Sequence, residues 1–305
     1  MKKVSKVLIA YDGSSCSDAA LKDLGRAGLP MAVDAVVVTV ADIILPPPDD
    51  ELPADDVPAV RIPEVERHAK ERAERAINET QAFADQGAKR VKADFPGWNV
   101  RSEVRCDSPA WAILEMAHRD KSDLIVVGSH GHSLVGGRLI LGSVSQRVLY
   151  DARCSVRVAR CWEEKRKGPI RIVVGFNGSQ DSEVAVDAVA SREWPEGSEA
   201  RLITVHPLLS SEAHDVAAEK LRKAGLTTSE ISKDGDPVHV LMREAEEWGA
   251  DSIFVGTRDV HGFQHFLHGS VSAAVAAHAR CSVEVSRAIS GIAQAEVSRG
   301  ISNVG

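Results

Sequence analysis

Short apolar runs alternate with amphipathic stretches along the whole chain. Val7–Ala10, Ala35–Val40 and Leu124–Val127 are rich in β-branched residues and end in turn-forming ones, the pattern of strands buried on both faces. "NVRSEVRC" and "SVRVAR" instead alternate apolar and polar positions, which predicts strands half exposed to solvent. Helical periodicity begins at about Cys16, Pro63, Pro109 and Ser143. The stretch from Pro63 mixes charges at helical spacing and meets a glycine at Gly87, so it predicts a long solvent-facing helix ending there. Strand and helix alternate throughout, which implies a parallel α/β sheet with right-handed crossovers and helices on both faces, five strands to a small doubly wound unit.

The pattern occurs twice. "KVLIAYDGSSCSDAAL" from Lys6 aligns without gaps with "RIVVGFNGSQDSEVAV" from Arg171, "SDLIVVGSHG" from Ser122 with "ADSIFVGTRD" from Ala250, and "GSVSQRVLYDARCSVRVAR" from Gly142 with "GSVSAAVAAHARCSVEVSR" from Gly269. The order of the blocks is the same, so the chain is a tandem duplication. The second half supplies "RIVVGF", "ARLITV", "TTSEISK", "DSIFVG" and "SVEVSR" as its five strands. The charged, Gly-Pro-terminated "CWEEKRKGP" marks the boundary. The expected division is residues 1–160, residues 169–287 and a loosely held tail, 288–305. The first half is longer because of "LPPPDDELPADDVPAVRIP", a Pro- and Asp-rich segment expected to be an exposed loop. The last strands, open edges if left alone, would be covered by pairing with each other.

With 305 residues, two domains are the natural count. The net charge of −7 argues against a nucleic-acid partner, and no apolar run reaches the ~18 residues of a membrane span. The start is a short basic lead interrupted by Asp12, unlike a signal peptide, and a cytoplasmic location is expected. Five scattered cysteines without a CxxC pair fit small reduced thiols.

Candidate chemistry concentrates where strands end. Asp12-Gly13-Ser14 closes the first strand, and Gly128 closes the fourth before a glycine-rich loop that opens a helix at Gly142-Ser143-Val144-Ser145. Ligands of open α/β sheets sit beyond the carboxyl ends of the strands. Gly131 would let backbone approach a ligand closely, and the N–H groups at 142–145 form a site for an anion, above all phosphate. Arg138 could add positive charge. A Gly-Ser pair before a helix is also an ordinary helix cap. The pairing with Asp12-Gly13-Ser14 favours the ligand reading. No GxxxxGK[ST] and no GxGxxG after a first strand occurs, so neither a P-loop nor a dinucleotide fingerprint is present.

Strand-Asp-Gly-Ser, then Gly-x2-Gly and Gly-Ser, then a helix and a final V-x-V strand, resembles the universal stress protein family over about residues 5–160 and 170–287. The resemblance implies a tandem member with sheet order 3-2-1-4-5 in each domain and domains paired through the last strand. A further homodimer stays open. Family members that keep the G-x2-G-x9-G-[ST] motif bind ATP, so the resemblance implies ATP, with or without Mg2+, in the first half. Asp12 and Gly13 would contact the nucleoside, Val40 would line the adenine pocket, and Val127 and Gly128 would flank the ribose. Gly131 would pass the phosphates, and Gly142, Ser143, Val144 and Ser145 would hold them. Ten residues rather than nine separate Gly131 from Gly142. In the second half Asn177 replaces the Asp, and Asp259 replaces the close-approach glycine. A carboxylate within reach of a triphosphate costs on the order of 1 kcal/mol even at high effective dielectric. The second site is therefore expected to be degenerate.

The function expected is a sensor or regulator that works by binding. Two alternatives stand beside it. One is a slow ATP hydrolase or phosphotransferase using His130, His132, Ser143 or Ser145; the other is a nucleotide-free interaction protein. No G-x-S-x-G elbow supports other hydrolase chemistry. His261, His265 and His268 recur at helical spacing, but a polar loop is the plainer reading than a metal site.

Overall fold

The structure, a computed structural model, describes residues 3–42, 63–130, 141–160, 168–205, 211–257 and 271–288. In the first half the elements are β1 (Lys6–Ala10), α1 (Ser15–Asp23), β2 (Asp34–Ala41), α2 (Pro63–Asp94), β3 (Asn99–Cys106), α3 (Pro109–Arg119), β4 (Leu124–Gly128), α4 (Ser143–Asp151) and β5 (Ser155–Ala159). The second half repeats them as β6 (Arg171–Gly175), α5 (Gln180–Ala190), β7 (Glu199–Val205), α6 (Ser211–Lys223), β8 (Thr227–Lys233), α7 (Pro237–Trp248), β9 (Ser252–Gly256), α8 (Val271–His278) and β10 (Ser282–Ser286). The α/β class and the parallel 3-2-1-4-5 order hold in each half, and one ten-stranded sheet runs β3-β2-β1-β4-β5-β10-β9-β6-β7-β8.

At the middle of that sheet β5 and β10 run antiparallel, with Glu284 opposite Arg157 and Val283 and Val285 opposite Val158 and Val156. One apolar cluster spans the junction on one face, joining Val148, Val156 and Val158 to Val275, Val283 and Val285. On the other face each half has its own cluster, built around α1 and α2 in the first and α5 and α6 in the second.

Two expectations are corrected. The strand "SVRVAR" is buried, not half exposed, and so is its partner, with every residue of β10 buried. Their alternating charges face a second packed layer. Arg157 is fully buried, and its Nε and Nη2 donate to Asp23 Oδ2 and Oδ1 at 2.6 and 3.1 Å. Burial works to lower the Arg157 pKa, but the flanking Asp23 and Glu284 carboxylates outweigh it and hold it above the ordinary value. The other correction concerns α2, which continues past Gly87 to Asp94. Thr80, Ala84, Gly87 and Val91 form a buried seam at helical spacing. A Cβ at Gly87 would lie 2.9 Å from Tyr11 and 3.0 Å from Val37, so this glycine lets the helix lie close on the sheet rather than ending it. The proline-rich loop expected around residues 45–63 lies outside the described residues apart from Pro63, as does the tail from residue 289.

Candidate functional site

The turn after β1 is built by Asp12. Its Oδ1 accepts the Ser14 N–H at 3.0 Å, Gly13 takes a left-handed φ of 77°, and Ser14 Oγ caps α1 by accepting the Ser17 N–H at 3.2 Å. The second half repeats this device: Asn177 Oδ1 accepts from Ser179 N at 3.1 Å, Gly178 has φ 74°, and Ser179 caps α5. The turn needs only one side-chain oxygen, which Asp and Asn both provide.

Beside it, β4 ends at Gly128, and a Cβ there would lie 2.9 Å from the Cys16 carbonyl oxygen of α1. Gly256, its counterpart on β9, faces the Asp181 carbonyl of α5 in the same way. Each glycine thus lets a helix start cross the end of a neighbouring strand. Past Gly128, the Gly142 N–H donates to Ser129 O at 2.8 Å, and the Ser145 hydroxyl donates to Gly128 O at 2.6 Å. These bonds fix the first turn of α4 against the end of β4. Gly142 is the N-cap of α4 and offers no side-chain cap. The first-turn N–H groups of Ser143, Val144 and Ser145 have no intrahelical acceptor. Ser143 is exposed, Val144 half-buried and Ser145 buried. Val40 is half-buried at the end of β2, and Val127 is buried on β4.

The structure thus brings Gly128, Ser129, Gly142 and Ser145 together by hydrogen bonds, with the start of α1 against Gly128. Gly131, His132 and Arg138 lie outside the described residues, as do Asp259, His261, His265, His268, Gly269 and Ser270 of the second copy. His130 lies at 3.1 Å from the Ser129 hydroxyl; burial, and then the charge of Arg160, lower its pKa. A neutral imidazole is favoured there, so His130 adds no fixed positive charge beside the α4 N-terminus. Among the described residues no cluster of three His, Cys, Asp or Glu side chains could hold a metal.

Three constellations escaped the sequence. Asp123 Oδ2 accepts from Ser5 N and Lys6 N at 2.8 and 2.9 Å, and Asp251 Oδ2 accepts from Arg171 N at 2.8 Å; each fastens the start of its half's first strand. The repeat of Asp at these places was the available signal. Thr204, His214 and Glu230 form a hydroxyl–imidazole–carboxylate chain, with His214 Nδ1 at 3.1 Å from Glu230. Thr204 is 1% exposed, so its hydroxyl meets no substrate; the chain ties α6 to β7 and β8. Tyr11, at the end of β1, is buried, donates to Asp18 Oδ1 at 2.7 Å, and sits beside the Arg90–Asp18 ion pair.

Tyr11 supports a pH prediction. Burial first, then the Asp18 hydrogen bond and charge, push its pKa up to about 12 from 10. A folded pKa above the unfolded value means that the neutral phenol is favoured in the native state. Its contribution is complete below pH ~10 and is lost as pH rises toward ~12. Tyr11→Phe, the residue the second half carries as Phe176, should remove this alkaline step. With only Tyr11 and Tyr150 in the chain, a phenolate absorbance titration of both proteins checks it.

The universal stress protein family model matches residues 3–160 and again 170–287. A universal stress protein of Mycobacterium tuberculosis, Rv2623, is 31% identical over 209 residues, covering 62% of this chain and 68% of its own. One from Mycolicibacterium smegmatis is 27% identical over 304 residues, covering 92% of this chain and 96% of its own. The crystal structure of a universal stress protein from Archaeoglobus fulgidus superposes with a TM-score of 0.60 at 21% identity, covering 93% of this chain and 97% of the other. The duplicated strand-end turns, the 3-2-1-4-5 order in both halves and a family match to each half place this chain in the universal stress protein family as a tandem two-domain member.

Proposed function

We propose that the chain is a stress-linked sensor or regulator that binds ATP, with or without Mg2+, in its first half and acts through that binding rather than through turnover. The observation that carries this reading is the N-terminus of α4: capped by a glycine without a side-chain acceptor and fastened beside the carboxyl end of β4. Helices α1, α5 and α7 carry side-chain caps from Ser14, Ser179 and Asp236 at their own N-termini, whereas α3, like α4, carries none. At α4 the first-turn N–H groups are left to an anion, where the helix dipole also favours negative charge. In this reading Gly142, Ser143 and Val144 hold the phosphates, and Ser145 positions the turn through Gly128. Gly131 gives the phosphates room, Val127 and Gly128 flank the ribose, Val40 lines the adenine pocket, and Asp12 with Gly13 meets the nucleoside. The two domains, residues 1–160 and 169–287, then divide the work: the second keeps the architecture with a degenerate site. A cytoplasmic location fits an ATP ligand.

Titration calorimetry with ATP tests the proposal. Wild type is expected to bind ATP in the first half only, and Gly131→Asp, which installs the residue found at Asp259, to lose at least roughly tenfold in affinity, ~1.4 kcal/mol. Unchanged affinity in Gly131→Asp would sink the account of the site. Nucleotide recovered after incubation with ATP and magnesium separates the alternatives: intact ATP fits binding, whereas ADP formed above a Ser143→Ala control fits a hydrolase.

A further inference from the structure

The junction of β5 with β10 carries an asymmetry that the repeat does not require. Aligning the halves at Gly142 and Gly269 makes Arg157 and Glu284 equivalent positions. They also face each other, flanked by the Val156–Val285 and Val158–Val283 pairs. The pseudo-two-fold axis therefore passes between them. Around it most contacts are symmetric. The Arg160 N–H donates to Ser282 Oγ at 3.2 Å, and the Arg287 N–H donates to Ser155 Oγ at 3.1 Å. The Arg160 guanidinium donates to the Ala276 and Ala277 carbonyls at the end of α8, and that of Arg287 donates to the Cys154 and Leu149 carbonyls beyond and within α4.

The charges at the axis break that symmetry. Asp23 bonds Arg157, Arg157 lies 3.5 Å from Glu284, and Glu284 pairs with Arg192. Both Arg157 and Glu284 are fully buried, and Asp23 and Arg192 are nearly so. The equivalents of Asp23 and Arg192 in the opposite halves are the uncharged Ala188 and Ala27. The row reads minus, plus, minus, plus only when a first half meets a second half. Two first halves in the same register would read minus, plus, plus, minus, with two arginines opposed at the axis. Two second halves would oppose two glutamates. Like charges directly opposite on paired strands are unfavourable, and more so away from water.

We infer that the Asp23–Arg157–Glu284–Arg192 row is a pairing-specificity device: it makes each half accept the other half and reject a copy of itself. The shared features, Arg160, Arg287 and the valines, supply an interface that would serve any pairing. The row selects among the pairings, as buried polar groups set partner choice in other assemblies.

The test uses the full chain, folded intact, with a protease site placed within residues 161–167 and cut after folding. Cut protein with and without isotope label is held at the urea concentration at which labelled and unlabelled halves exchange. Native mass spectrometry then counts first–second, first–first and second–second pairs. Wild type should show only mixed pairs. The variant Asp23→Ala, Arg157→Met, Glu284→Met, Arg192→Ala, which removes the whole row at once, should form all three. Glu284→Gln, which keeps shape and removes one charge, should admit second–second pairs and serves if the fourfold variant does not fold. Homotypic pairs in wild type, or exclusively mixed pairs in either variant, would overturn the inference.

Discussion

Glu284→Ala lowers the stability of the whole chain by about 3–5 kcal/mol, read as a drop in the urea midpoint, the range for removing one partner from a buried ion pair. Glu284 is fully buried between two guanidiniums, paired with Arg192 and 3.5 Å from Arg157. Without it, Arg157 still has Asp23 at 2.6 Å, but Arg192 retains the Ala27 carbonyl at 2.6 Å and no carboxylate partner among the described residues. Burial already pushes the Arg192 pKa below its ordinary value, and the Glu284 charge is the foremost influence opposing that. The Phe254 ring centroid lies 5.9 and 5.5 Å from the two guanidinium carbons, so both cations rest on an apolar floor. A surface pair calibrates the effect. Arg147 pairs with Asp151 on α4 with its side chain 70% exposed, and Arg147→Ala should shift the midpoint by no more than ~0.5 kcal/mol. A Glu284→Ala loss as small as that control would mean that the buried charges are already neutralised by other means.

The same charges show where the sequence stops being legible. Period and repeat together were sufficient for the α/β class and for the starts of the helices at Pro63, Pro109 and Ser143, because buried parallel strands need unbroken apolar runs and helices announce themselves by their caps; the sheet order in each half came only from the family resemblance. They misled at β5 and β10. A period-two pattern with Arg157 or Glu284 on one face looks the same whether that face meets water or a buried counter-charge. Asp23 and Arg192, which decide the matter, are 134 and 92 residues away in the chain. Gly87 misled for a related reason: a glycine that admits Tyr11 and Val37 against a helix cannot be told from one that ends it until the sheet is in place.

At the candidate site the legible part was the turn chemistry. Asp12-Gly13-Ser14 and Asn177-Gly178-Ser179 were recognisable as matching turns, and both form with the same hydrogen bonds. What the letters could not separate was ligand from packing. Gly128 looked like a glycine kept for a nucleotide, yet its twin Gly256 is kept in the half that carries Asn177 and Asp259 in place of Asp12 and Gly131. The distance from each to a crossing helix gives a reason that needs no ligand. The glycine cap at Gly142 remains the feature that points to a ligand.

Gly256→Ala is therefore expected to be among the most damaging single methyl groups that can be added to this chain. The new Cβ would fall 1.8 Å from the Asp181 carbonyl oxygen and 2.3 Å from its carbon, both backbone atoms at the start of α5. No side-chain rotation relieves such a contact. Either α5 shifts as a body or β9 bends away, and both lie on packed surfaces: α5 buries Ala185, Val186 and Val189, and β9 is paired on each side by β6 and β10. A loss of roughly 3 kcal/mol or more follows, at or beyond the upper end for overpacking. Gly128→Ala makes the milder version of the same clash, 2.9 Å from Cys16 O, and should lose about 1–3 kcal/mol. Thermal unfolding of both variants orders them, and ATP titration of Gly128→Ala separates two causes. If Gly128 is kept for helix packing, the melting temperature falls before the affinity does; if it is kept for the ribose, affinity falls while the melting temperature holds. A Gly256→Ala protein as stable as wild type would remove the steric account from both glycines together.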